Sequence, residues 1–387
     1  MRRLLFLGLC LVTLSAGCGG GTSPSGDAGG ADTGASDASS DTGTATDSGT
    51  STDGAMTDAT TTDAAPAPDA STDACGGCPS GTSCGSANGL PVCRTATGIP
   101  RFSHVFVVVM ENTSLSTLTA ATNTPYLTSL FADRASSSNY HGVAHPSLPN
   151  YLAMTSGMDV SSIGCDCEPM GSACGTFNCN AVLHSCGCPQ SITHLGDQLE
   201  AASLGWKAYG EDMGSPCNMT SSGRYVARHV PFLYYDDVQS DAARCAAHVV
   251  DYGGFAGDLA SGAPTFSFIV PNLQNDMHDP ITGGSSNLAH GDTWLSSNLP
   301  FILASPAYTD GGLLIVVWDE DDLSGVLAAD DPIGLIVLSP YAKQGGYMST
   351  AHGDHSSLLA TIEDGLGLAR LGTAASATPL ADFFPAM

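Results

Sequence analysis

Positive charge is what this chain of 387 residues has least of: 11 Lys and Arg stand against 38 Asp and Glu, a formal net charge of -27. So few cations cannot neutralise a run of phosphates, which excludes nucleic acid as a partner. They also exclude polybasic docking to an anionic lipid surface. Long hydrophobic runs are missing as well, because the apolar stretch at residues 4–14 falls short of the ~20 residues a spanning helix needs. Between Gly19 and Ala74 there is no aromatic residue, no Lys and no Arg, and Asp recurs every few positions among Gly, Ser, Thr and Ala. Such a segment buries too little to offset its ordering entropy, and its like charges keep it extended. It reads as a solvated tether over residues 19–74. Spaced Asp could also suggest calcium, but the glycine-anchored loop with a closing Glu is absent, which favours the tether. The rest of the chain, with a composition 42% hydrophobic overall, is long enough for one sizeable α/β unit.

What is present at the start is an export signal. Arg2 and Arg3 precede the apolar run, and LSAGC at residues 14–18 resembles the lipobox of bacterial lipoproteins. The run is too short for an anchor helix and fits a cleaved signal over residues 1–18. The resemblance implies acylation of Cys18 and attachment to the membrane through that lipid alone. Gly19, in place of Asp, favours the outer membrane or cell surface. Export places the remaining cysteines in an oxidising compartment. Cys75, Cys78, Cys84 and Cys93 then read as two disulfides stapling a small module at residues 75–98, whereas in the cytosol the first pair would suggest a zinc or redox motif. Cys165, Cys167, Cys174, Cys179, Cys186 and Cys188 crowd one insertion, and with Cys217 and Cys245 they imply four disulfides whose pairing stays open. That insertion is either a wall for an active-site mouth or a surface staple, and Asp166 within it is a minor candidate for contact with metal or substrate.

Residues 99–387 read as one catalytic domain. Apolar runs at residues 104–110, 206–209, 266–270, 313–318 and 334–338 predict strands buried on both faces. Helical patterns at 125–135, 192–204, 292–303 and 355–366 alternate with them. The alternation predicts a three-layer α/β/α fold with a mostly parallel sheet. Polar clusters follow three of the strands: Glu111-Asn112, the 272–279 segment with Asp276 and His278, and Asp319-Glu320. Ligands gather at the carboxyl ends of strands in open α/β sheets. Carboxylates crowded there without Lys or Arg predict a bound cation, since otherwise they would repel and take up protons.

The motifs VVVMEN (107–112), AHPSLPNYL (144–152), WKAYGEDM (206–213), NLQNDMHD (272–279), WDED (318–321) and HSSLLATIED (355–364) run in order along the domain. Together they resemble the phosphoesterase family of acid phosphatases, phosphatidylinositol phosphate phosphatases and phospholipase C-type enzymes, related to the alkaline phosphatase superfamily. YVARH (225–229) also resembles a recurring family segment. The resemblance implies an alkaline phosphatase-like fold and hydrolysis of phosphoesters through a phosphoserine on Ser147, at a helix start suited to anions. It implies that Glu111, Asn112, Asp319 and Glu320 ligate a divalent metal, with Asp276 beside them. Ca, Mg or Mn suits such oxygen donors, and Zn is compatible. His278 and His355 would contact phosphate, assist the leaving group or serve a second metal, with His278 the favoured proton donor. His145 and His141 would contact phosphate, and Asn150 would steady a phosphoryl oxygen. His104, His184, His194, His229, His248 and His352 read as structural, Asp292 as a helix cap and Trp294 as a core anchor. Two departures from the family stand out: Thr113 replaces a His, and Asp331-Pro332 replaces another His. Substrates would be small-molecule or lipid phosphoesters. The reading favours an acid phosphatase-like monoesterase, with a phospholipase C-type diesterase or a catalytically decayed binding protein as alternatives.

Overall fold

The computed structural model describes residues 74–159, 166–169, 189–279, 287–322 and 331–386. The expected signal, the Cys18 anchor and nearly all of the tether lie outside these residues, as do Cys165, Cys174, Cys179, Cys186 and Cys188. The cysteine-rich module is a hairpin of β1 (Thr82–Ala87) and β2 (Leu90–Thr95). Its turn is Asn88-Gly89, both with positive φ (51° and 79°), as the tightest hairpin turns require. Cys75 bonds Cys84 and Cys78 bonds Cys93. The hairpin is seated on the domain: Asn88 donates to Pro340 O and Ala342 O at 2.9 and 2.7 Å, and buried Arg94 donates to Pro385 O at 2.7 Å.

Among the described residues ten further strands follow: β3 (Val105–Met110), β4 (Ala135–Ser137), β5 (Tyr140–His141), β6 (Trp206–Gly210), β7 (Val249–Asp251), β8 (Phe266–Val270), β9 (Leu313–Trp318), β10 (Leu335–Leu338), β11 (Met348–Ser349) and β12 (Gly353–Asp354). Eight of them form one sheet in the order β11-β4-β10-β9-β3-β8-β6-β7. Its centre, β9-β3-β8-β6-β7, is parallel throughout. Every residue of β3, β8 and β9 is buried, which is why those runs lack polar alternation. β10 is an exception to the parallel pattern, pairing antiparallel with β9 and β4. The chain returns from β9 at the same end of the sheet, and such a return gives an antiparallel neighbour. The start of β10, with Asp331 ahead of it, therefore lies beside the carboxyl end of β9.

Side-chain alternation fixes the layers. Phe106 points to Phe255 on the Phe255–Gly262 helix, whereas Phe268, in register with Val107, points to Tyr151 and Phe232. The Phe255–Gly262 and Ser147–Ser156 helices thus cover opposite faces. The Asn287–Leu303 helix joins the first through Trp294 and Tyr252, and the His355–Leu366 helix packs on the Ser147–Ser156 helix. The result is a three-layer α/β/α domain with a mostly parallel sheet. Asp292 lies inside the Asn287–Leu303 helix and caps a different one: its carboxylate accepts from Leu127 N at 2.7 Å and Tyr126 N at 3.3 Å. The cap is tertiary, which local spacing does not reveal. Trp294 is buried as expected. Cys217 and Cys245 form a disulfide, and Cys167 is also disulfide-bonded.

Candidate active site

Three strand ends converge around Ser147. At the end of β3 the chain turns sharply, with Asn112 at φ 43°. The turn frees Glu111 and Asn112 from the opposite orientations that adjacent strand residues would have. Glu111 N donates to Asp276 O at 2.8 Å, and Asp319 N donates to Met110 O at 3.0 Å, so backbone bonds lock the three ends together. Asp319 Oδ1 accepts from Asn112 N at 3.0 Å and Glu320 N at 2.7 Å.

Ser147 opens its helix with no side-chain cap of its own. Its hydroxyl is buried between two carboxylates, 3.1 Å from Glu111 Oε2 and 3.3 Å from Glu320 Oε1. One helical turn on, Tyr151 donates to Glu111 Oε1 at 2.6 Å. His145 Nδ1 lies 2.7 Å from Glu320 Oε2, and Nε2 lies 3.5 Å from Asp321 Oδ1. A cavity of ≈ 390 Å³ opens here, lined by Gly142, Ala144, His145, Glu320, Asp321 and Asp331. A larger, apolar cavity of ≈ 820 Å³ sits beside Ser103 and His104, at the amino end of β3 and away from this chemistry. Gly142 is required by close approach, since a Cβ there would meet Asp319 O at 2.8 Å.

Burial pushes the carboxyls of Glu111 and Asp276 well above the usual range, reinforced by Asp319. Burial and then Glu320 raise Asp319 to about 7. Glu320 is also raised by burial, though its bond to His145 opposes this. The same bond raises the pKa of His145. The cluster is therefore short of cationic partners.

The sequence reads His229 as structural, whereas the structure places it inside this cluster. It is fully buried, stacked on Tyr151 with ring centroids 5.1 Å apart, with Nε2 3.2 Å from Glu111 Oε1 and Nδ1 3.6 Å from Asp276 Oδ2. Neither contact is aligned as a hydrogen bond. Burial, then Arg228 and His278, depress its pKa well below normal, keeping the imidazole neutral. Asn112 Oδ1, Asp276 Oδ2, Asp319 Oδ2 and both His229 nitrogens are buried without hydrogen-bond partners. Buried polar atoms seldom go unpaired, and carboxylates, an amide oxygen and a neutral imidazole are donor types that suit a cation.

The other expected residues divide. His278 lies at the rim, its backbone N bonded to Asp276 Oδ1 at 2.8 Å, its Nδ1 2.9 Å from Asp279 Oδ1, and its ring 5.9 Å from that of His229. His355 stands behind the site. Its ring nitrogens are taken by Tyr140 OH at 3.0 Å and Asp319 O at 2.6 Å, and burial lowers its pKa to about 4. It steadies the Asp319 backbone and has no nitrogen left for phosphate. Asn150 is committed to the 142–146 loop, accepting from Val143 N at 2.8 Å and donating to Ala144 O at 2.8 Å, with only a 3.5 Å contact to Glu320. His141 is 2.8 Å from Asn139 Oδ1 and faces His352. His194 caps its own helix beside Asp197 and Asp237, whose carboxylates Arg244 occupies.

The profile of the Phosphoesterase family matches residues 105–369. The chain is 30% identical over 291 residues to the phosphatidylinositol-3-phosphatase of Mycobacterium tuberculosis, covering 75% of this chain and 85% of that one. It is 26% identical over 283 residues to an acid phosphatase of Aspergillus fumigatus, covering 70% of this chain and 56% of the fungal protein. It thus spans little more than half of that second relative. Among solved structures, a protein in the alkaline phosphatase superfamily from Vibrio parahaemolyticus superposes with TM-score 0.49 at 12% identity, covering 79% of this chain and 73% of the other.

Proposed function

Because the chain belongs to the phosphoesterase family and is a phosphoric ester hydrolase, we propose that it acts as an acid phosphatase-like monoesterase through a phosphoserine on Ser147. The observation that carries this reading is the position of the hydroxyl: it opens a helix, between Glu111 and Glu320, beside buried donors that lack partners. Glu111, Asn112, Asp276, Asp319, Glu320 and His229 would hold a divalent cation. When bound, it would lower the pKa of the serine hydroxyl and neutralise phosphoryl charge.

The chain's own residues then have distinct tasks. The Ser147 proton has two carboxylate acceptors within 3.3 Å. As the Oγ–P bond forms, the bond from phosphorus to the substrate alcohol breaks. The departing oxygen takes its proton from an imidazole at the rim, His278 or the Glu320-paired His145. Water then cleaves the phosphoserine, releasing phosphate and restoring Ser147. Tyr151 and His355 hold Glu111 and Asp319 in place.

The test is hydrolysis of p-nitrophenyl phosphate by the exported protein, beside Ser147→Ala and Asp319→Ala. Full activity in Ser147→Ala would remove the nucleophile assignment. Phosphatidylinositol phosphates join the substrate panel because the mycobacterial relative carries that name. Free phosphate as product marks a monoesterase, and diacylglycerol marks a phospholipase C-type reaction.

We also propose that residues 1–18 are a signal, Cys18 is lipidated and residues 19–74 tether the enzyme to the outer membrane or cell surface. No described helix is long and apolar enough to cross a membrane. Loss of fatty-acid labelling in Cys18→Ala tests the anchor.

A further inference from the structure

Asp166 reaches the start of the Ser147 helix from the cysteine-rich insertion. Its Oδ1 accepts from Leu148 N at 3.0 Å, and its Oδ2 lies 3.0 Å from Arg228 Nε, an ion pair not aligned as a hydrogen bond. Leu148 directly follows Ser147, and Arg228 directly precedes His229. An anion therefore already bridges a helix-start amide and a guanidinium next to the buried hydroxyl. Those are two of the donor types that receive phosphate oxygens.

The placement is anchored. Cys167 O accepts from Tyr234 OH, Glu168 Oε1 accepts from Ser221 Oγ at 2.7 Å, and Pro169 O accepts from Gln239 Nε2 at 3.1 Å. Four consecutive residues are thus fastened to the domain, with Asp166 aimed at the helix start. Electrostatically Asp166 is an intruder, adding a carboxylate to a cluster already crowded with them, and its charge helps to raise Glu320. Its two partners account for its stability there, and both are groups that a phosphoryl anion would use.

Resting on Ser147 as the nucleophile, we propose that the Leu148 amide and Arg228 receive oxygens of the substrate's phosphoryl group, and that Asp166 is an internal stand-in which substrate displaces. The stand-in sets a charge threshold. A phosphomonoester brings up to two negative charges to Arg228 and outcompetes a carboxylate. A phosphodiester brings one charge and a second organic group, and competes poorly. Asp166 would thereby favour monoesters.

The test uses the full metal-loaded protein. Calorimetry gives the Kd of inorganic phosphate without turnover, and steady-state kinetics give KM for p-nitrophenyl phosphate and bis(p-nitrophenyl) phosphate. Asp166→Ala should tighten phosphate about tenfold, the scale of one charge-assisted hydrogen bond. It should also lower KM for the diester more than for the monoester. Arg228→Gln should weaken phosphate about tenfold on the same scale. Glu168→Ala, which cuts only the Ser221 tether, should leave the Kd unchanged. Equal tightening in Glu168→Ala and Asp166→Ala would trace the effect to a loosened strap and overturn the proposal. So would unchanged or weaker phosphate binding in folded Asp166→Ala. Because phosphate binding is read without catalysis, loss of the Ser147 assignment would show separately, in the turnover of Ser147→Ala.

Discussion

Ser147 and Tyr151, one helical turn apart, donate to the two oxygens of the same Glu111 carboxylate, at 3.1 and 2.6 Å. Residues four apart on a helix share a face, so one helix presents both a reactive hydroxyl and the group that orients its neighbouring carboxylate. Tyr151→Phe keeps the ring against His229 and removes only the bond to Glu111. The expected result is a folded protein with kcat reduced about tenfold or more, since a buried partner lost to a charged group costs about 1–3 kcal/mol. Circular dichroism beside kcat measurements checks this, and unchanged kcat would show that Tyr151 merely packs.

Metal removal should abolish turnover, and readdition of Mn, Mg, Ca or Zn should restore it with one ion preferred. His229→Ala should lose metal affinity by at least about 10- to 100-fold, the range seen when even an outer partner of a metal ligand is removed. His104→Ala, beside the distant apolar cavity, should retain the metal. Elemental analysis after dialysis distinguishes the two.

The acidic cluster gives the metal-stripped protein a definite pH dependence. Asp319 is raised from 3.8 to about 7 by burial and Glu320, and Glu111 and Asp276 shift in the same direction. A carboxyl whose pKa is raised on folding binds more protons in the native state, so stability is lost as pH rises from its unfolded pKa through its folded one. Thermal midpoints in chelator should therefore fall between about pH 4 and pH 8. Asp319→Asn should flatten that slope, and a rising midpoint over the same range would contradict the assignment.

Gly142→Ala tests the close approach beneath the 142–146 loop. Its Cβ would sit 2.8 Å from Asp319 O, which is itself held 2.6 Å from His355 Nε2. Neither side is free to yield, so the loop carrying His145 should shift. We expect about 1–3 kcal/mol of destabilisation, typical of overpacking, together with a loss of kcat larger than any change in KM.

Much of this arrangement is legible in the sequence because its parts are strongly patterned. β3, β8 and β9 are unbroken apolar runs, and their polar ends announce the sheet edge where groups meet. Ser147 is recognisable from its motif. His229 was not legible, because it sits in a short 3-10 turn with no periodicity, and only the fold reveals which carboxylates it faces. The YVARH segment was its one available signal. Tyr151 was hidden in plain view, spaced four residues from Ser147 on a helix already expected. His355 misled because a histidine near catalytic residues looks the same in sequence whether it faces substrate or backs a loop. Asp331 gains its place at the cavity from the antiparallel return of β10, a topological choice that strand patterns do not encode.

The seating of the disulfide-locked hairpin has a mechanical consequence. Tension entering at Cys75 has a covalent shortcut from Cys78 to Cys93, bypassing the β1–β2 turn. It reaches the chain again at Arg94, which is clamped to Pro385 near the other end of the domain. Because the hairpin precedes β3 in the chain, a pull on the segment before Cys75 would meet these disulfides and the Arg94 bond ahead of the strand that ends in the carboxylates.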